Sequence, residues 1–147
     1  MKLQHHIAVS TIISGILYAI FKSWGLTIAS FISGIFIDLD HVIDYLIERG
    51  SCFNAKEFII FFYEEKHQKI SLIFHGWELL IIWAVAAKLT DFNPWVTGVL
   101  IGYGQHIVSD YFYSKASLLS YFLIWRWKNR FDSEVLFPRN RGYNPKA

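Results

Sequence analysis

The stretch LTIASFISGIFIDLDH, residues 26–41, changes character at its end. Up to Ile37 it holds only apolar residues with Ser, Thr and Gly; Asp38, Asp40 and His41 then follow within four positions. Hydrocarbon does not solvate carboxylates, so ionisable groups at the rim of a buried apolar helix need a partner or a task. Similar groups lie at the mouths of the other apolar segments: His5 and His6, His75 and Glu78, His106 and Asp110.

Working outward, Ile7–Phe21 is a first apolar run that ends at a turn over Lys22–Gly25, and Leu26–Leu39 is the second. Ile70–Ala87 is the third, Lys88–Pro94 a turn rich in breakers, and Trp95–Tyr113 the fourth. The polar stretch 48–69 contains Phe58–Tyr63, too short to span a bilayer and suited to its interface. Residues 118–127 are expected to form another short interfacial or re-entrant helix, and residues 131–147 an irregular tail. The expected fold is all-α: an antiparallel bundle of about four membrane helices plus short interfacial helices, as one domain over residues 1–130. Ile7–Ile20 could serve as the core of a signal peptide, but without a convincing small-residue cleavage site it reads as an uncleaved first helix.

Composition agrees. Hydrophobic residues make up 54% of the chain and charged ones only 18%, against about 25% charged in soluble domains. A net charge of +2 gives no argument for nucleic acid. The lone Cys52 excludes an internal disulfide and any Cys-x-x-Cys site, so a metal would need nitrogen and oxygen ligands. Small residues recur at helix-packing spacing in Gly98/Gly102, Ser30/Gly34 and Ser10/Ser14.

Counting crossings places every candidate ligand at one end. The first helix leaves the side on which His5 and His6 lie. The second returns with Asp38, Asp40, His41 and Asp44; the third departs with His75 and Glu78; the fourth returns with His106 and Asp110. Spacings of three or four residues (Asp38/His41, His41/Asp44, Asp40/Asp44, His75/Glu78, His106/Asp110) put pairs on common helix faces. If 118–127 does not cross, Lys22 and Lys88 are the basic residues of the far side, leaving 12 of the 14 Lys and Arg on the ligand side. The positive-inside rule would then make the ligand side cytoplasmic.

Imidazole and carboxylate together suit Zn²⁺, Mn²⁺ or Fe²⁺. The candidate metal residues are His5, His6, Asp38, Asp40, His41, His75, His106 and Asp110, enough for one or two ions, with Asp40 or Asp110 as a bridging carboxylate. Zn²⁺ is the first choice. Glu78 and Asp44 are candidate catalytic carboxylates, Glu78 as general base or as a partner orienting a ligand histidine. The expected reaction is hydrolysis of a phosphoester or related ester. A site at the bilayer edge favours an amphiphilic, lipid-like substrate, with membrane lipids as the surroundings. Plainer roles exist for each residue: helix caps for Asp38 and Asp40, a hydrogen-bonded core histidine for His75, interfacial polarity for His5 and His6, and a solvated loop for His67.

The motifs taken together resemble the YdjM-type family of inner-membrane metal-dependent hydrolases. An early His pair (His5/His6), a G-x-x-x-D-x-D-H block (Gly34 to His41), His75 at a loop-to-helix junction and a late G-x-x-x-H-x-x-x-D (Gly102 to Asp110) carry the likeness. Ile37 stands where the family block usually has Pro. The resemblance implies a small helical protein of the bacterial inner membrane with Asp38, Asp40, His41, His75, His106 and Asp110 at a metal site. The competing readings are a non-catalytic membrane metal-binding or transport protein, which would want polar residues along a path through the bundle, and a soluble helical domain, which would want polar outer faces.

Overall fold

The computed structural model describes residues 3–50, 54–64, 69–114 and 116–137. The chain is all-helical there. Its elements are α1 (Leu3–Phe21), α2 (Trp24–Phe36), α3 (Leu39–Arg49), α4 (Ala55–Glu64), α5 (Trp77–Leu89), α6 (Pro94–Ser114), a 3-10 turn at Leu118–Tyr121, α7 (Leu123–Lys128) and α8 (Ser133–Leu136). Cys52, His67 and the tail beyond 137 lie outside the described residues.

Local chemistry sets the breaks. After α1, Lys22 takes a positive φ and Ser23 caps α2, its hydroxyl accepting from the Leu26 N–H. After α5, Asp91 and Phe92 also have positive φ; Pro94 then opens α6, where a missing N–H costs nothing. At Ile37–Asp38 the helix tightens into i→i+3 bonds (Asp40 N–H to Ile37 O, His41 N–H to Asp38 O, both 3.1 Å) before α3 continues.

α2 and α6 form the central pair and run parallel; α1 packs antiparallel against both, and α5 packs on α6. The central pair meets every four residues. A Cβ on Gly98 would lie 2.5 Å from the Leu26 carbonyl oxygen, and one on Gly102 only 2.1 Å from that of Ser30. One turn further along, Gly34 faces Ser10 of α1 and Gln105 of α6, and a Cβ there would lie 2.4 Å and 2.3 Å from their polar atoms. Of the small residues singled out by spacing, Gly98, Gly102 and Ser30 thus lie where the α2 and α6 backbones approach closely, and Gly34 admits the Ser10 side chain of α1.

The polarity is inverted. Many inward positions are small or polar (His6, Ser10, Ser14, Ser30, Gly34, Gly98, Gly102, His106, Asp110), beside a small apolar cluster of Ile37, Tyr103, Ile107 and Tyr121. Outward positions are apolar and exposed: Ile12, Ile16 and Ile20 on α1, Ile28 and Ile32 on α2, Ile82, Val85 and Leu89 on α5. Leu3–Phe21 and the kinked Trp24–Arg49 are long and apolar enough to cross a membrane, and only 17% and 33% of their apolar windows are buried.

Several boundaries differ from expectation. α1 begins at Leu3, so His5 and His6 lie on the helix and not ahead of it. The third helix starts at Trp77, not Ile70, because 70–76 is held as an irregular loop. α7, with six residues, spans roughly 9 Å and does not cross. Residues 131–137 belong to the folded body and not to an irregular tail. Leu136 is fully buried, its carbonyl accepts from the Ser120 hydroxyl, and the Phe131 carbonyl accepts from Ile70 N–H at 2.9 Å.

Candidate metal centre

His106 and Asp110 project from one face of α6 into the bundle, both buried. The His106 Nδ1 lies 2.7 Å from the Gly34 carbonyl, which can only accept, so Nδ1 carries the proton and Nε2 offers a lone pair. Asp110 Oδ2 is 3.3 Å from that Nε2, and its Oδ1 is 3.0 Å from Nε2 of His6. The His6 ring stacks on that of His106 with centroids 3.8 Å apart. Asp38, at the α2–α3 turn, brings Oδ1 to 3.5 Å from His106 Nε2, 3.8 Å from His75 Nε2 and 3.7 Å from His41 Nε2.

His75 arrives from a loop, and the loop is fastened on every side. Its Nδ1 is 3.1 Å from Asp40 Oδ2, which also accepts the Phe74 N–H. That orientation turns Nε2 towards the cluster, 3.1 Å from His106 Nε2. The Asp44 carboxylate accepts the Ser71 and Leu72 N–H groups at 3.0 and 3.3 Å. The Tyr103 hydroxyl lies 2.7 Å from the Phe74 and Gly76 carbonyls and accepts the Gly76 N–H. Arg126 of α7, 1% exposed, donates to the carbonyls of Ser71 (2.9 Å), Leu72 (2.6 Å) and His75 (2.7 Å). Burial pulls the Arg126 pKa down, and the carboxylates of Glu78 and Asp40 act in the other direction.

Two groups of potential ligands result: His6, Asp38, His106 and Asp110, and Asp38, His41 and His75, each with its ligand atoms within 4.8 Å of one another. Asp38 is the carboxylate common to both groups; of the two expected bridges, Asp110 also reaches across, its Oδ2 lying 3.3 Å from His106 Nε2 and 3.5 Å from His75 Nε2, while Asp40 is turned to the far nitrogen of His75. Asp44 is a loop fastener. Glu78 accepts the Ile124 N–H of α7 at 3.2 Å and is a member of neither group. Of the N-terminal pair, His6 reaches the cluster, while His5 is exposed with its ring 6.3 Å from that of Tyr113.

These residues fit a metal ion. Both Asp38 oxygens are buried without a hydrogen-bond partner, although the side chain faces three imidazoles. With Nδ1 of His75 and His106 directed elsewhere, their Nε2 atoms both face the cluster and lie within hydrogen-bond distance of each other at 3.1 Å. The field favours cations: burial works against charge on His75, yet Asp110, Asp38 and Asp40 outweigh it and raise its pKa to about 10. A buried His/Asp group of this kind could hold one metal ion.

The chief omission of the sequence reading is Arg126, which lies in the expected interfacial segment 118–127 with no role of its own. A single Arg inside the apolar, aromatic run 121–127 was the available signal, since an arginine placed among such residues needs several acceptors. Tyr103 carried no comparable mark.

Comparison with known proteins returns no match: no family model, curated protein or solved structure resembles the chain at a significant level.

Proposed function

We propose that this chain is a membrane-embedded, metal-dependent hydrolase acting on a phosphoester or ester of an amphiphilic substrate, with zinc as the metal. The observation that carries the reading is the Asp38 carboxylate, whose two oxygens are buried without a hydrogen bond and whose Oδ1 lies among the Nε2 atoms of His41, His75 and His106. His6, Asp38, His106 and Asp110 would hold one ion, and Asp38, His41 and His75 a second beside it. When bound, the metal supplies Lewis acidity to water and to the ester oxygen.

The protein's own contribution is positioning. Gly34 and Asp40 fix which imidazole nitrogen faces the cluster. The Arg126, Tyr103 and Asp44 contacts hold the loop that carries His75. His41 and Asp38 are the cluster members that also line an apolar pocket on the outer side, where substrate would enter.

The membrane setting is supported by the inverted polarity. A soluble core helix is mostly buried, whereas only 17% and 33% of the apolar windows here are buried. α1 also contributes His6 to the cluster, as a retained helix would. Because α7 is too short to cross, Arg126, Lys128 and Arg130 stay at the cluster end among the described residues, which supports a cytoplasmic-facing site. The YdjM-type likeness rests on sequence motifs and fits this reading.

The test is metal analysis of the detergent-purified chain, repeated after Asp38→Ala and His106→Ala, followed by a phosphatase and esterase screen. Stoichiometric zinc in the wild type, its loss in both variants and metal-dependent turnover are expected. Unchanged metal content in both variants would refute the site; metal without turnover would leave a non-catalytic binding protein.

A further inference from the structure

Beside the cluster lies a partly open pocket of about 340 Å³, lined by Leu3 of α1, Ile35 and Phe36 of α2, Leu39 and Val42 of α3, and Phe58 and Ile59 of α4. Its polar wall is Asp38 and His41. Leu3, Phe36, Leu39 and Ile59 are about half exposed, so the mouth itself is apolar. One pocket thus joins cluster residues to an opening with the character of the bundle's outer surface.

Its size and its lining select the occupant. About 340 Å³ falls in the range of small-molecule sites, which begin at about 300 Å³. The occupant must also combine an apolar body with a head that meets Asp38 and His41. We propose that this pocket receives the single hydrocarbon tail of the amphiphile, entering sideways from the bilayer, so that the ester or phosphoester at its head stops at the cluster. This rests on the hydrolase reading and narrows its substrate to molecules with one flexible tail free to leave the lipid.

The test uses the full-length, zinc-loaded chain in nanodiscs and an alkylphosphonate with a photoreactive diazirine in its tail, with adducts mapped by mass spectrometry. The same diazirine chain without the phosphonate reports ordinary lipid contact. Adducts from the phosphonate should concentrate on residues 35–42 and 58–59, at least fivefold over the headless probe. Val42→Trp and, separately, Ile59→Trp should reduce them about tenfold, with retained zinc showing that the variants fold. Ile82→Trp, on the exposed face of α5, should leave the pattern intact. Equal labelling by both probes, or labelling unmoved by both pocket variants, would overturn the proposal and mark the pocket as ordinary lipid contact. Turnover of a short-tailed ester by the wild-type preparation is read in parallel. Turnover with scattered adducts refutes the pocket alone; focused adducts without turnover of any ester refute the hydrolase reading and retain the tail site.

Discussion

His106 and His75 present their Nε2 atoms to each other at 3.1 Å, yet they are held there by different means. His106 is part of a long helix. Its place follows from the four-residue ladder that seats Gly98 and Gly102 of α6 on α2, and the next rung supplies the Gly34 carbonyl that fixes its tautomer. His75 sits on a loop with no periodic structure. Asp40, Asp44, Tyr103 and Arg126, drawn from three different helices, hold the segment around it. A regular element positions a side chain through backbone packing, whereas an irregular one needs a separate polar contact for each degree of freedom.

The contrast can be broken at either end, and the largest effect should come from the ladder. Gly102→Leu would drive a side chain into the Ser30 carbonyl and force α2 from α6, at a cost of about 3 kcal/mol or more. Thermal unfolding in detergent should show loss of the folded protein, while Gly15→Leu, where no atom lies within 4 Å of a new Cβ, should unfold like the wild type. His106→Ala should keep the fold and lose the metal, read by elemental analysis after gel filtration.

Weaker effects should follow from the loop side. Asp40→Asn keeps the shape but weakens the hold on His75 Nδ1. Metal affinity should fall roughly 10- to 100-fold, as for other partners that orient ligand histidines, measured by competition with a chelator dye. Arg126→Met preserves bulk and removes three donated hydrogen bonds; a drop of about tenfold in affinity with unchanged helical circular dichroism is expected. If Arg126→Met instead abolished the helical signal, the loop would be integral to folding and the contrast would fail. His5→Ala, exposed and outside both ligand groups, should change metal content by less than the error of the measurement.

The same contrast explains what was legible from the residues alone. Helical periods carried His6, Asp38, His106 and Asp110 to one end, because an even number of passes and three- and four-residue spacings survive any detail of packing. Gly98, Gly102, Ser30 and Gly34 were legible as contact points for the same reason. The choice between Asp38 and Asp40 was not. They are two positions apart, about 200° around a helix, and the tight turn at Ile37–Asp38 decided which faced the shared position. Glu78 and Asp44 lay at plausible spacings but were taken up by backbone N–H groups of α7 and the 69–76 loop. Such partners are set by tertiary folding and leave no period in the chain. Helix ends erred likewise, since Ile70–Gly76 is apolar enough for a helix and is denied one by side chains more than twenty-five residues away.

Gly34 serves two masters. Its bare α-carbon lets Ser10 and Gln105 close in, and its carbonyl holds the proton of His106. Sliding of α2 along α6 would move that carbonyl against the His106 ring, so the seam that seats the glycine also sets the aim of the imidazole.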